Sequence, residues 1–97
     1  MPTYIVMSKF TDQGVKNVRD LPQLMEQNRA GAEKLGLKRI GWYMTQGAYD
    51  VVVIVEAPDD EAMAAQVLNV AGRGNVHTET LRAFTLEESK AIIQKLG

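Results

Sequence analysis

The segment Val51-Val52-Val53-Ile54-Val55 constrains this chain most. Successive side chains of a strand point to opposite faces, so five consecutive β-branched residues make both faces apolar. A sheet with one face in water alternates apolar and polar residues instead. The segment Tyr4-Ile5-Val6-Met7 is apolar on both faces as well. Both strands must therefore sit centrally, and the sheet they share needs a cover on each face.

The rest of the chain supplies two covering helices. Thr3–Phe10 reads as a first strand, followed by turn or cap residues at Thr11-Asp12-Gln13-Gly14. A short turn around 13–19 leads to a main helix at Leu21–Leu35, with Pro22 tolerated in its first turn and Gly36 as its stop. Leu37–Gln46 and Tyr49–Ala57 read as the second and third strands around Gly47-Ala48. Pro58-Asp59-Asp60-Glu61 opens a second main helix, whose acidic first turn suits the helix dipole, with Met63, Val67, Leu68 and Ala71 on its inner face. Asn75–Phe84 is a fourth strand, and Thr85 with Glu88 has capping-box spacing before a last helix, Leu86–Leu96. The order β-α-β-β-α-β plus a terminal helix is the ferredoxin-like α+β plan. Residues 1–97 then form one domain with an antiparallel 4-1-3-2 sheet and both main helices on one face.

Two helices cover one face only. The second face needs another copy of the sheet, or the C-terminal helix folded across it; a homo-dimer or higher homo-oligomer through the sheet face is the expected partner arrangement. A two-residue hairpin at Gly47-Ala48 would put Gln46 opposite Tyr49. Ile40, Trp42, Met44, Tyr49, Val51, Val53 and Val55 would then face the helices. Arg39, Gly41, Tyr43, Thr45, Asp50, Val52, Ile54 and Glu56 would take the other side.

Several function classes drop out. The 97 residues contain no cysteine and one histidine, which excludes a thiol nucleophile and leaves too few ligands for a transition-metal cage. No metal site is expected: the carboxylates of Asp59-Asp60-Glu61 diverge at a helix start and are better read as caps. Net charge is −1, and the third strand carries two acids and has no interior aromatic of the kind on which RNA-recognition folds of this element order stack bases, so no nucleic-acid partner is expected. Neither a GxGxxG nor a P-loop occurs, and Gly72-Arg73-Gly74-Asn75 is better read as a helix stop and turn than as an anion loop. No motif names a cofactor. No apolar run approaches the ~20 residues of a membrane span, and Met1-Pro2-Thr3-Tyr4 lacks a signal-peptide pattern; the expected location is the cytoplasm.

The stretch GAYDVVVIVEAPDDEA, with TYIVMSKFTDQG before it and GNVHTETLRAF after it, resembles the GYD domain family from Pro2 to about Phe84. The name motif corresponds to Gly47, Tyr49 and Asp50. The resemblance implies the dimeric α+β barrel plan, which also carries cofactor-free oxygenases, isomerases and haem-binding enzymes. Fold does not fix function. The expected role is a small-molecule-binding or interaction module. An ACT-like module that binds a metabolite between subunits is a related reading.

The enzyme alternative is a cofactor-independent oxygenase or isomerase. The 4-1-3-2 order brings Ser8, Lys9, Tyr49, Asp50 and His77 to one end of the sheet. Asp50 and His77 are the candidate acid–base pair; Ser8, Trp42, Tyr43 and Tyr49 are candidate pocket residues. The plainer readings are a backbone-capping Asp50, an edge-strand His77 and core or interface aromatics.

Overall fold

A computed structural model describes all residues, 1–97. Its strands are β1 (Thr3–Phe10), β2 (Lys38–Met44), β3 (Val51–Glu56) and β4 (Val76–Ala83), and its helices are α1 (Asp12–Lys16), α2 (Leu21–Lys34), α3 (Asp60–Ala71) and α4 (Leu86–Gln94), with a 3-10 turn at Val18–Asp20. The sheet order is β2-β3-β1-β4, every neighbouring pair antiparallel. The two doubly apolar strands are the central ones, as their composition requires.

Local chemistry sets the helix boundaries. The Thr11 hydroxyl accepts the Gly14 N–H at 3.1 Å and starts α1. The start of β4 runs so close to α1 that a Cβ on Gly14 would lie 2.0 Å from the Asn75 carbonyl oxygen, so only glycine fits there. Asp59 caps α3 by accepting the Ala62 N–H at 2.8 Å. Thr85 and Glu88 form the reciprocal capping box of α4, at 3.1 and 2.9 Å.

Tyr4, Leu37, Val55, Ala57, Met63 and Ala32 make the core between the sheet and α2 and α3. Only ten of 97 residues are buried, and no large side chain is fully so, which is little for a domain of this size. Two features account for this. The face of the sheet away from α2 and α3 carries Ile5, Met7, Val52, Ile54, Leu81 and Tyr43, and no element covers it. α4 has no packed interface with any other element; Leu86 and Ile93 on it are 73% and 61% exposed, and Leu96 just after it is 82% exposed. The C-terminal helix is thus not the cover for the open face. The molecule measures 52 × 31 × 18 Å, with a radius of gyration of 14.6 Å against about 12.5 Å for a compact chain of this length.

The β2–β3 register corrects one part of the sequence reading. Met44, Tyr43, Trp42 and Gly41 pair with Val51, Val52, Val53 and Ile54, as a Gln46–Tyr49 alignment requires. The turn itself is a four-residue loop, because the last pairing is the Thr45 N–H to the Asp50 carbonyl at 2.8 Å. At the other end the register shifts between Arg39 and Gly41, and Arg39 pairs with Val55. Ile40 is the extra residue of this bulge and is 51% exposed instead of core-facing. The shift moves Arg39 to the helix side, beside Trp42. On α3, Leu68 is exposed and Gln66 is buried in its place, since Gln66 donates to the Asn28 carbonyl of α2 at 3.1 Å. Gly31 meets the Gln66 side chain and no approaching backbone.

Candidate functional site

The Gly47–Asp50 loop ties all four strands together at one end of the sheet. Gly47 has φ +110°, a conformation that L side chains rarely adopt. The Thr45 hydroxyl, just after β2, donates to the Tyr49 carbonyl at 2.6 Å. Asp50 leads into β3; its N–H donates to the Ser8 carbonyl, and its carboxylate accepts the Phe10 N–H at 2.8 Å, so it fastens β3 to the end of β1. The Tyr49 hydroxyl donates to Glu79 of β4 at 2.7 Å, and the Lys9 ammonium lies 5.8 Å from the Tyr49 ring centroid. The carboxylate partner raises the Tyr49 pKa, because it stabilises the protonated phenol.

Tyr49 does not lie on the helix face, where a two-residue hairpin would have put it. Lys9 and Glu79 belong to the open face, opposite His77 and Met7 respectively in the β1–β4 register. The longer loop lets the Tyr49 side chain reach across β1 to β4. Sequence reasoning alone misses Glu79 as its partner, although a signal exists in the topology, which sets β4 beside the end of β1.

The remaining candidates separate by face. Ser8 is buried beneath the helices, between Val51 and Thr78. Trp42 is half-buried on the helix side, lining a cavity of about 90 Å³ between the sheet, α2 and α3. Tyr43 is 58% exposed on the open face, its ring 3.1 Å from where a Cβ on Gly41 would stand. His77 is exposed on the edge strand β4, paired with Lys9. Asp50 and His77 therefore approach the same end of the sheet, but neither lines that cavity. The Gly72–Asn75 turn is clasped by α1: Thr11 and Gln13 donate to the Gly74 and Arg73 carbonyls at 2.6 and 2.8 Å.

The GYD domain model matches residues 4–93. The chain belongs to the GYD domain family. A relative from Thermus thermophilus, the glutamine synthetase and cystathionine beta-lyase binding protein, is 36% identical over 89 residues, covering 91% of this chain and 94% of its own. Solved structures share the fold at lower identity. MtbAldR superposes with TM-score 0.67 at 15% identity, over 87% of this chain and 52% of that one. FFRP-DM1 gives 0.57 at 20%, over 87% and 100%, and TTHA0845 from Thermus thermophilus gives 0.55 at 24%, over 88% and 95%. In this GYD chain Gly47, Tyr49 and Asp50 belong to the four-strand clasp just described.

Proposed function

We propose that this GYD protein is a homo-oligomeric interaction module of the cytoplasm, whose partners include enzymes of nitrogen and sulfur amino-acid metabolism. The observation that carries the reading is the open sheet face. Its two central rows are Leu81, Ile5, Ile54, Gly41 and Glu79, Met7, Val52, Tyr43, an apolar centre with polar ends. A second copy of the same sheet fits this pattern. The enzyme partners are argued from the 36% identical relative, whose name records binding to two such enzymes. A general acid–base centre gains less support, because one Asp50 carboxylate oxygen is engaged by the Phe10 N–H.

Two measurements test the reading. Light scattering at micromolar concentration should give at least twice 10.7 kDa, and Ile54→Asp should return the mass to one copy with the circular dichroism retained. A monomeric wild type overturns the oligomer. Titration of the purified chain into purified glutamine synthetase and into cystathionine beta-lyase should show saturable binding to at least one. Binding to neither overturns the partner assignment.

A further inference from the structure

The cavity between the sheet, α2 and α3 lies on the opposite side of β1 and β3 from the open face. It is partly open to solvent and offers about 90 Å³. Its wall is mostly hydrocarbon: Met25, Val53, Met63 and Val67 with the Trp42 ring. Its charged lining is of one sign. Arg29 and Arg39 border it, and no aspartate or glutamate does.

The two guanidiniums differ. Arg29 is engaged by Glu26 at 2.7 Å and by Glu33 at 2.6 Å, so its charge is already answered. Arg39 has no hydrogen-bond or ion-pair partner in the protein. It is half-buried, and it stands on this face only because the bulge at Ile40 puts it there. Glu26 feels the Arg39 field but stays bonded to Arg29. A bulge that delivers a planar five-donor fork to the edge of an apolar cavity is geometry suited to a carboxylate.

We propose that this cavity binds a small carboxylic acid with a short branched apolar tail, the carboxylate on Arg39 and the tail against Trp42, Val53 and Met63. A space of this size suits a short tail of a few carbons. Cations are disfavoured by Arg39, and neutral alcohols leave its donors unanswered. The site is independent of the open face, so it stands or falls separately from the interaction reading.

Trp42 is the single tryptophan of the chain, which gives a direct reporter. The probe is 3-methylbutanoate, titrated at neutral pH against Trp42 emission and against backbone amide shifts, with 3-methyl-1-butanol and 3-methylbutanamide as neutral isosteres. The expected result is saturable binding with a millimolar midpoint and amide shifts confined to α2, α3 and residues 39–42. The neutral isosteres, and the acid with Arg39→Gln, should each bind about tenfold more weakly, the scale of one charge-assisted contact. Arg39 has no partner to lose, so the variant should keep its fold. Equal binding of alcohol and acid overturns the carboxylate assignment. Undiminished binding by Arg39→Gln places the anion elsewhere and overturns the site. No response of Trp42 or of the α2 and α3 amides overturns the proposal entirely.

Discussion

Asp50→Ala tests whether the last residue of the family motif holds the sheet together or does chemistry. In the native chain one carboxylate oxygen accepts the Phe10 N–H at 2.8 Å, while the Asp50 backbone completes pairings to Ser8 and Thr45. The substitution leaves those backbone bonds intact and removes only the acceptor for Phe10. A hydrogen bond to a charged group is worth about 1.5–3 kcal/mol, and the half-buried, partly solvated position of this one argues for the lower end. A domain of under 100 residues loses about 4–8 °C of melting temperature per kcal/mol, so Asp50→Ala should lower Tm by roughly 6–12 °C. Asp50→Asn keeps a neutral acceptor at the same place and should lose about half as much. The assay is thermal unfolding followed by circular dichroism, with amide exchange read at Phe10. Exchange at Phe10 should accelerate in the alanine variant and stay slow in the asparagine variant. An unchanged Tm with unchanged Phe10 protection would refute the fastening role. Loss of a measurable turnover in both variants, with Tm intact, would instead favour the acid–base reading.

Other expectations follow from single contacts. Gly14→Ala should unfold the chain or lower its stability by several kcal/mol, about the scale of severe overpacking, because its Cβ would stand 2.0 Å from the Asn75 oxygen; denaturant titration reads this. The Tyr49 phenol should ionise above the ordinary pH for tyrosine and return toward it in Glu79→Gln, followed by ultraviolet difference absorbance. Its folded pKa is the raised one, so the linked stabilisation is fully present below pH 10 and is lost as pH rises through the folded value. Gln66→Met should be neutral or stabilising by about 1 kcal/mol in denaturant titration, since Gln66 Oε1 is buried without a partner, and an unanswered polar atom of this kind costs about 1–3 kcal/mol.

The sequence made the architecture legible because its strongest signal was one of composition, not of spacing. Val51–Val55 and Tyr4–Met7 are doubly apolar and suit central places, while the sheet order and helix placement come from the β-α-β-β-α-β element order. Finer placement depends on residues that carry no periodic mark. Ile40 belongs to the alternating run by pattern, yet the chain bulges there, and only the neighbouring Gly41 hints at it. Arg39 consequently changes face. A two-residue turn conserves parity and so predicts Tyr49 in the core, whereas the Thr45 hydrogen bonds make the loop four residues long. The plainer reading of Asp50 is a cap on its own hairpin; it does bond a backbone N–H, but one on β1, a long-range partner that the topology brings near without specifying.

These placements give the motif a physical meaning. Gly47, Tyr49 and Asp50 sit on one loop, but their partners are spread over the whole sheet: Thr45 beside β2, Ser8 and Phe10 on β1, Glu79 on β4. A four-stranded sheet with only one face covered is short of the packing that normally fixes strand positions. Polar fastenings at one end supply part of what the missing core does not. They also place Tyr49 and Lys9 at the rim of the open face, leaving its apolar centre clear. The same reasoning holds at the C-terminus. α4 is properly capped by Thr85 and Glu88, yet a helix this short is marginal in water unless its apolar side is covered. An uncovered sheet face and an uncovered helix on one small chain are more simply satisfied together than apart. Removing residues 85–97 should therefore weaken self-association while leaving the melting temperature of the single copy nearly unchanged. If truncation leaves the association constant untouched, α4 serves some surface other than a second copy.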